Sequence, residues 1–141
     1  MSNLKRFLDA QEHNYADALK EIQNGRKISC WMWYVFPQIQ GLGYSSTAQY
    51  YAIKDLQEAK DYLDDAVLGA RLLEICEAAR NVDCNNPYQV FGAVDAMKLK
   101  SSMTLFELVA PEKTIFGEVL EKYFNGERDE RTVEIINQMS E

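Results

Sequence analysis

Between Cys30 and Tyr51 the chain reads CWMWYVFPQIQGLGYSSTAQYY, which crowds two Trp, four Tyr and one Phe around one proline and two glycines. Proline and glycine interrupt regular helix, and so many rings cannot all be hidden by one element. This stretch must therefore change direction, and it is the part of the chain best suited to line a binding site. Aromatic faces supply rigid apolar area, Gly41 and Gly43 permit close backbone approach, and Gln38, Ser45, Ser46 and Gln49 can orient a ligand by hydrogen bonds. A planar or sugar-bearing small molecule suits that lining.

The 28–36 segment, rich in Trp, Tyr, Val and Ile without helical period, reads as a short strand or extended stretch that ends at Pro37. On a strand Trp31, Trp33 and Val35 share one face and Met32, Tyr34 and Phe36 the other, so only one set can look toward a ligand. The remainder of the chain is helical in pattern. Leu4, Phe7, Leu8, Gln11, Tyr15, Ala18, Leu19 and Ile22 recur at helical spacing, with Ser2 or Asn3 as candidate N-cap and Gly25 as the stop. Ser46 or Thr47 is placed to cap a second helix that carries Tyr50, Ile53, Leu56, Ala59 and Leu63 on one face and ends at Asp64 and Asp65. A third helix follows with Leu68, Leu72, Ile75, Cys76 and Ala79.

Pro87 after Asn86 marks another start, and a short and a longer helix are expected between residues 88 and 108. Two more follow, one stopping at Asn125 and Gly126 and one from about Asp129 to Met139, with Val133, Ile136 and Met139 inward. The expectation is a mainly α, single compact multi-helix domain spanning 1–141, with one short extended segment.

Composition narrows the function. The net charge of −7 comes with no long run of Lys or Arg, which argues against duplex nucleic acid as a partner. Lys54, Arg71, Lys98 and Lys100 can still outweigh that balance locally around a small anion. Three cysteines, Cys30, Cys76 and Cys84, leave an odd count and read as reduced thiols, and no stretch of about 18 apolar residues is present. A cytoplasmic chain without a membrane segment is expected. The single histidine, His13, lies mid-helix beside polar neighbours and reads as surface, which leaves neither a nucleophilic triad nor a metal ligand set. No phosphate loop of the GxxxxGK[ST] or GxGxxG kind occurs. Asp95 stands out among the carboxylates because it sits in the apolar run FGAVDAMKL, three positions before Lys98.

Several blocks in order, WMWYVFPQIQGLG, then STAQYYAI, YLDDAVLGARLLE and FGAVDAMKLKSSMTLF, resemble the DUF1810 family of uncharacterised bacterial and phage proteins, and the resemblance runs over essentially the whole chain. The family is in turn similar to the NADAR superfamily, whose members act on N-glycosidic bonds of ribosyl or ADP-ribosyl compounds. That resemblance implies a mainly helical fold and a nucleotide pocket. It also places the superfamily's catalytic glutamate on Ala48 and its histidine on Gln49, with Tyr50 and Tyr51 matching an aromatic pair, and Cys30 stands where relatives carry His.

An alanine neither donates nor accepts a proton, so binding without turnover is the expectation, with no cofactor and no metal. The expected ligand is a nucleotide of ADP-ribose type, a cyclic ADP-ribose signal included. Expected ligand contacts are Trp33, Phe36, Pro37, Gln38, Gly41, Gly43, Tyr44, Ser46, Gln49, Tyr50, Lys54, Arg71, Asp95 and Lys98. Such a domain would serve as a sensor or a sequestering protein. Two alternatives stand beside it: an N-glycosidase that uses Asp95 as acid/base, and a protein interaction module built on the aromatic stretch. A homodimer is compatible with so small and aromatic a domain.

Overall fold

A computed structural model describes residues 3–139. Its helices are α1 (Lys5–Gln23), α2 (Met32–Val35), α3 (Ser46–Tyr51), α4 (Leu56–Asp64), α5 (Leu68–Asn81), α6 (Pro87–Phe91), α7 (Ala93–Val109), α8 (Ile115–Phe124) and α9 (Glu130–Met139). The expectation of a mainly helical single domain holds. No helix among the described residues is long and apolar enough to cross a membrane.

Helix α7 forms the centre. Its C-terminal half buries six consecutive residues, Ser101 to Phe106, and a helix that is hidden all round must be enclosed by others. α8, α6, α9 and α4 pack on it, while α5 bridges α8, α4 and α1. The polar members of α7 satisfy themselves locally: Ser101 Oγ donates to the Met97 carbonyl at 3.1 Å, and Thr104 Oγ1 donates to Lys100 at 2.8 Å. Thr104 Oγ1 also accepts the Asp129 N–H at 2.9 Å, which ties the start of α9 to the centre.

Boundaries follow local chemistry. Asn86 caps α6 through its side chain with Pro87 in the first turn, and Gly92 (φ 84°) separates α6 from α7. Asp65 Oδ2 accepts the N–H groups of Val67 and Leu68 at the start of α5. Asn125 ends α8 in the left-handed region at φ 58°. Gly69, the second residue of α5, lies so close to the Leu63 carbonyl that a Cβ would approach its oxygen to 2.0 Å, so only glycine allows α5 to fold back on α4 there. On α9, Ile136 faces inward, whereas Val133 is half-buried and Met139 is 39% exposed.

Four expectations are corrected. The 28–36 stretch is not a strand: a single turn of helix, α2, occupies its second half, and the extended backbone moves downstream to a lone parallel bridge between Ile39 and Ile53. A strand needs a partner to pair with, and that bridge is what the described chain offers. The second helix is split, because Asp55 caps α4 separately and Ile53 is buried in the bridge rather than on a helix face. Ser45, not Ser46 or Thr47, caps α3, with its Oγ accepting the Ala48 N–H at 3.1 Å. Leu4, which offers no side-chain cap, occupies the N-cap position of α1; Ser2 lies outside the described residues.

The cap of α1 comes from elsewhere in the chain. Glu58, at the start of α4, accepts the Asn3 N–H at 3.1 Å and the Lys54 N–H at 3.1 Å, and pairs with Arg6 at 2.7 Å. Only 7% and 1% of the Arg6 and Glu58 side chains are exposed. The guanidinium donates further to the carbonyls of Asn3, Tyr50 and Ala52, and so closes the C-terminus of α3. Burial works against ionisation of Glu58, but the bonds from Arg6 and the two N–H groups outweigh it and hold its pKa below the usual carboxylate value. Removing one partner leaves the other charge buried alone. Glu58→Gln is therefore expected to lower the unfolding free energy at neutral pH by about 3–5 kcal/mol in urea titrations. Because the folded pKa is depressed, the contribution is full at neutral pH and is lost as the pH falls through the carboxylate range, so the variant's stability should vary less with acid than the parent's.

Candidate functional site

An open cleft of about 580 Å³ lies between α2 and α3, lined by Cys30, Trp33, Tyr34, Ser46, Thr47, Tyr50 and Tyr51. Its existence depends on α2 being helical. One turn of helix sends Trp31, Met32, Val35 and Phe36 into the core together and leaves Trp33 half-buried at the surface, so the ring on the cleft wall is separated from the rings that fill the interior.

A helix of four residues has no stability of its own and must be held. Gln11 of α1, 1% exposed, does this by donating from Nε2 to the Tyr34 carbonyl at 2.7 Å, and the Tyr62 hydroxyl donates to the same carbonyl at 3.2 Å. Upstream, the linker out of α1 is tied down by Glu21. Its Oε1 accepts the N–H groups of Ile28 and Ser29 at 2.7 and 2.9 Å and the indole N–H of Trp31 at 2.9 Å, and its Oε2 accepts the Ser29 hydroxyl at 2.7 Å. Burial opposes the charge on Glu21, but these donors prevail and bring its pKa down to about 2.

The opposite wall is α3. The Tyr50 and Tyr51 rings meet edge to face at 4.8 Å, and Tyr51 meets Tyr34 at 5.2 Å across the cleft floor. Burial, then the neighbouring Tyr51 and Cys30, raise the Tyr34 phenol above its ordinary pKa, and burial followed by Tyr50 does the same for Tyr51. Both phenols are protonated at neutral pH and remain able to donate. Behind Trp33 and Tyr51 a cavity of about 10 Å³ is bounded by Gln38, Ile39, Gly43, Ala48 and Ala52. Gly43 and Ala48 are nearly in contact, since a Cβ on Gly43 would stand 2.6 Å from that of Ala48.

Charge enters beside Trp33. Lys98 Nζ lies 4.2 Å from the centre of the Trp33 ring and 3.5 Å from Asp95 Oδ1, while Lys27 Nζ meets Asp95 Oδ2 at 2.7 Å. Asp95, in the first turn of α7, is not a member of the cleft lining; its two oxygens are taken up by Lys27 and Lys98.

The structure gathers only part of the expected contact set. Trp33, Ser46 and Tyr50 line the cleft, Gln38 and Gly43 border the small cavity behind it, and Asp95 and Lys98 adjoin it through Trp33. Phe36 and Pro37 are buried in the core and are unavailable to a ligand. Gly41 (φ 109°) belongs to a loop seated on α9, where its carbonyl accepts from Arg131 at 3.2 Å. Tyr44 projects into solvent at 79% exposure and contributes its carbonyl to Gln49 Nε2 at 2.7 Å.

Gln49 and Lys54 face a separate polar hollow of about 280 Å³ that shares Tyr50 with the cleft and includes Arg6 and Glu58. Arg71 is engaged on α1, over the Tyr15 ring at 5.1 Å and with Gln11 Oε1 at 3.4 Å. His13 is exposed, and among the described residues no group of three His, Cys, Asp or Glu is arranged to hold a metal ion.

Another hollow of about 580 Å³, lined by Lys100, Glu127, Arg128, Asp129, Glu130 and Arg131, has no rings. Its charges are spent on pairs such as Lys100 with Glu127 at 3.6 Å and Arg128 with Glu107 at 2.7 Å. The aromatic cleft is the better organised site. Sequence reasoning missed the roles of Tyr34, Thr47 and Tyr51 in it, and of Lys27, Glu21 and Gln11 behind it. For Gln11 a signal existed, a polar residue within the apolar stripe of α1.

With this geometry the chain finds its relatives. It belongs to the DUF1810 family, proteins of unknown function, whose sequence profile matches residues 1–136. A conserved hypothetical protein from Mycobacterium tuberculosis, known from its crystal structure, is similar at 42% identity and a TM-score of 0.93, over 95% of this chain and 96% of its own. No curated protein matches the chain.

Glu21 provides a test of how the cleft wall is held. Glu21→Gln loses charge-assisted bonds at a partly exposed site and is expected to cost about 1–2 kcal/mol of stability at neutral pH. The folded pKa lies below the ordinary one, so the parent's advantage is full above pH 4.5 and shrinks as the pH falls toward about 2. Urea unfolding across that range should show the two proteins converging in acid.

Proposed function

We propose that the cleft between α2 and α3 binds a small nucleotide of ADP-ribose type without chemical turnover. The observation that carries this reading is the lining itself: Trp33, Tyr34, Tyr50 and Tyr51 surround a volume of about 580 Å³, with the hydroxyls of Ser46 and Thr47 at its edge. Ligand sites of roughly 300–1,000 Å³ lined by rings with a few oriented polar groups suit molecules of this size. Stacking serves an adenine or a ribose face, and the hydroxyls serve sugar oxygens.

The reading of binding without turnover is supported by what surrounds Ala48. That position, on which the resemblance to NADAR enzymes would place their catalytic glutamate, carries a methyl group pressed toward Gly43. Asp95, the other candidate acid/base, is bound to two lysines and lies outside the lining. General acid catalysis needs a carboxyl group within hydrogen-bond reach of the leaving group. A domain that holds a nucleotide intact suits a sensor or a sequestering protein.

Calorimetry against ADP-ribose, its cyclic isomers and NAD tests the reading. Saturable binding with the ligand recovered intact after long incubation is expected, and absence of heat with all of them removes the proposal. In the same titrations Trp33→Ala and Tyr50→Ala should each weaken binding by roughly tenfold, the usual effect of losing one stacking ring. Phe36→Leu, a core change away from the cleft, should alter stability and leave affinity nearly unchanged.

A further inference from the structure

We propose that Lys98 sets the charge selectivity of the aromatic cleft, favouring a neutral ring joined to an anionic group such as a diphosphate and disfavouring a cationic ring. The inference rests on the cleft being the ligand site argued above. Trp33 belongs to the cleft wall, and the Lys98 ammonium stands 4.2 Å from its ring centre, so the ring on which a ligand would stack is already polarised by a cation.

That ammonium is held in place. Asp95 Oδ1 is 3.5 Å away, and Asp95 is itself fixed by Lys27 at 2.7 Å, whose side chain is only 8% exposed. Lys27 also donates to the Ser29 carbonyl and sits 5.0 Å from the Trp31 ring, which immobilises it against the core. Two ammonium groups share one carboxylate, so this cluster carries one surplus positive charge beside Trp33.

Lys98 occupies one face of Trp33, and a ring stacked on the other face would lie within about 8 Å of the Lys98 nitrogen, given a stacking separation of about 3.5 Å. At that range in a half-buried setting, a full charge changes affinity by roughly three- to thirtyfold, with opposite sign for anions and cations. The other candidate cations do not meet this description. Lys54 lies in the polar hollow on the far side of Tyr50, and Arg71 is packed on Tyr15. Asp95 and Lys27 act as positioning residues, and Lys98 is the group a ligand would feel.

The test is calorimetry on the full chain with three probes: ADP-ribose, adenosine and the cationic ring 1-methylnicotinamide. The intact protein should bind them in that order of decreasing affinity. Lys98→Met should weaken ADP-ribose by roughly tenfold, leave adenosine within about twofold and strengthen 1-methylnicotinamide, whereas Lys98→Arg should restore the original order. Lys54→Gln, measured alongside, should change all three by less than about twofold.

Equal losses for all three probes in Lys98→Met would mean that the side chain only packs, and would overturn the selectivity while leaving the nucleotide site intact. The selectivity is overturned equally if Lys54→Gln rather than Lys98→Met produces the charge-dependent loss. An unmodified chain that binds none of the probes, and neither the cyclic isomers nor NAD, would remove the proposed function and this inference with it.

Discussion

The buried pair of Arg6 and Glu58 is the contact on which the site half of the molecule depends. Three chain ends meet there: the start of α1, the end of α3 and the start of α4. Each presents backbone groups that a short helix cannot satisfy internally, and burying them unpaired would be costly. One guanidinium and one carboxylate answer most of that demand at once, the first with donors to carbonyls and the second with acceptors for N–H groups. A hydrophobic pair of the same size would fill the space without supplying those partners. This is why two charges are found almost wholly out of water next to an otherwise apolar core.

The same economy recurs around the cleft. Both of its walls are too short to be stable alone, so each is fastened by a polar side chain reaching out from a long helix: Gln11 and Glu21 of α1 hold α2 and its approach, and Arg6 of α1 holds α3. The helices in turn gain stability from the central helix α7 and its neighbours α4, α5 and α8. The aromatic wall is thus mounted on a rigid body through hydrogen bonds rather than through a packed sheet, and Trp33 remains half-buried at the cleft while Trp31 and Phe36 turn inward.

Much of the scaffold was legible in the sequence, for a reason visible in particular residues. Phe7, Gln11, Tyr15, Ala18 and Ile22 repeat along α1, Leu68, Leu72, Ile75, Cys76 and Ala79 along α5, and the punctuation at Gly25, Pro87 and Asn125 is local steric chemistry that any fold must respect. The site was legible only in outline. Trp33, Ser46 and Tyr50 could be nominated because rings and hydroxyls near glycines are suited to ligands, but the direction of each ring could not. Every residue from Trp31 to Phe36 is apolar or aromatic, so the run can be read as a strand or as one turn of helix, and nothing local decides between them. Likewise Tyr50 and Ile53 share a helical face in the sequence, until Asp55 starts its own helix and Ile53 is drawn into the bridge with Ile39.

By itself, then, the sequence determined a mainly helical domain, some of its helix boundaries such as those at Gly25, Pro87 and Asn125, and the stretch from Cys30 to Tyr51 as its chemically richest segment. Only the tertiary structure decided which rings fill the interior and which line a cleft, that Phe36 and Pro37 belong to the core, and that Lys98 rather than Arg71 or Lys54 stands beside Trp33. The boundaries at Gly25, Pro87 and Asn125 are settled by steric and hydrogen-bonding preferences within a few residues, whereas the start of α1 and the end of α3 draw on Glu58 and Arg6. The side that a ring faces, and the charge placed next to it, are settled by partners some ten to sixty positions away, as Trp31 with Glu21, Gln11 with Tyr34 and Lys98 with Trp33 show.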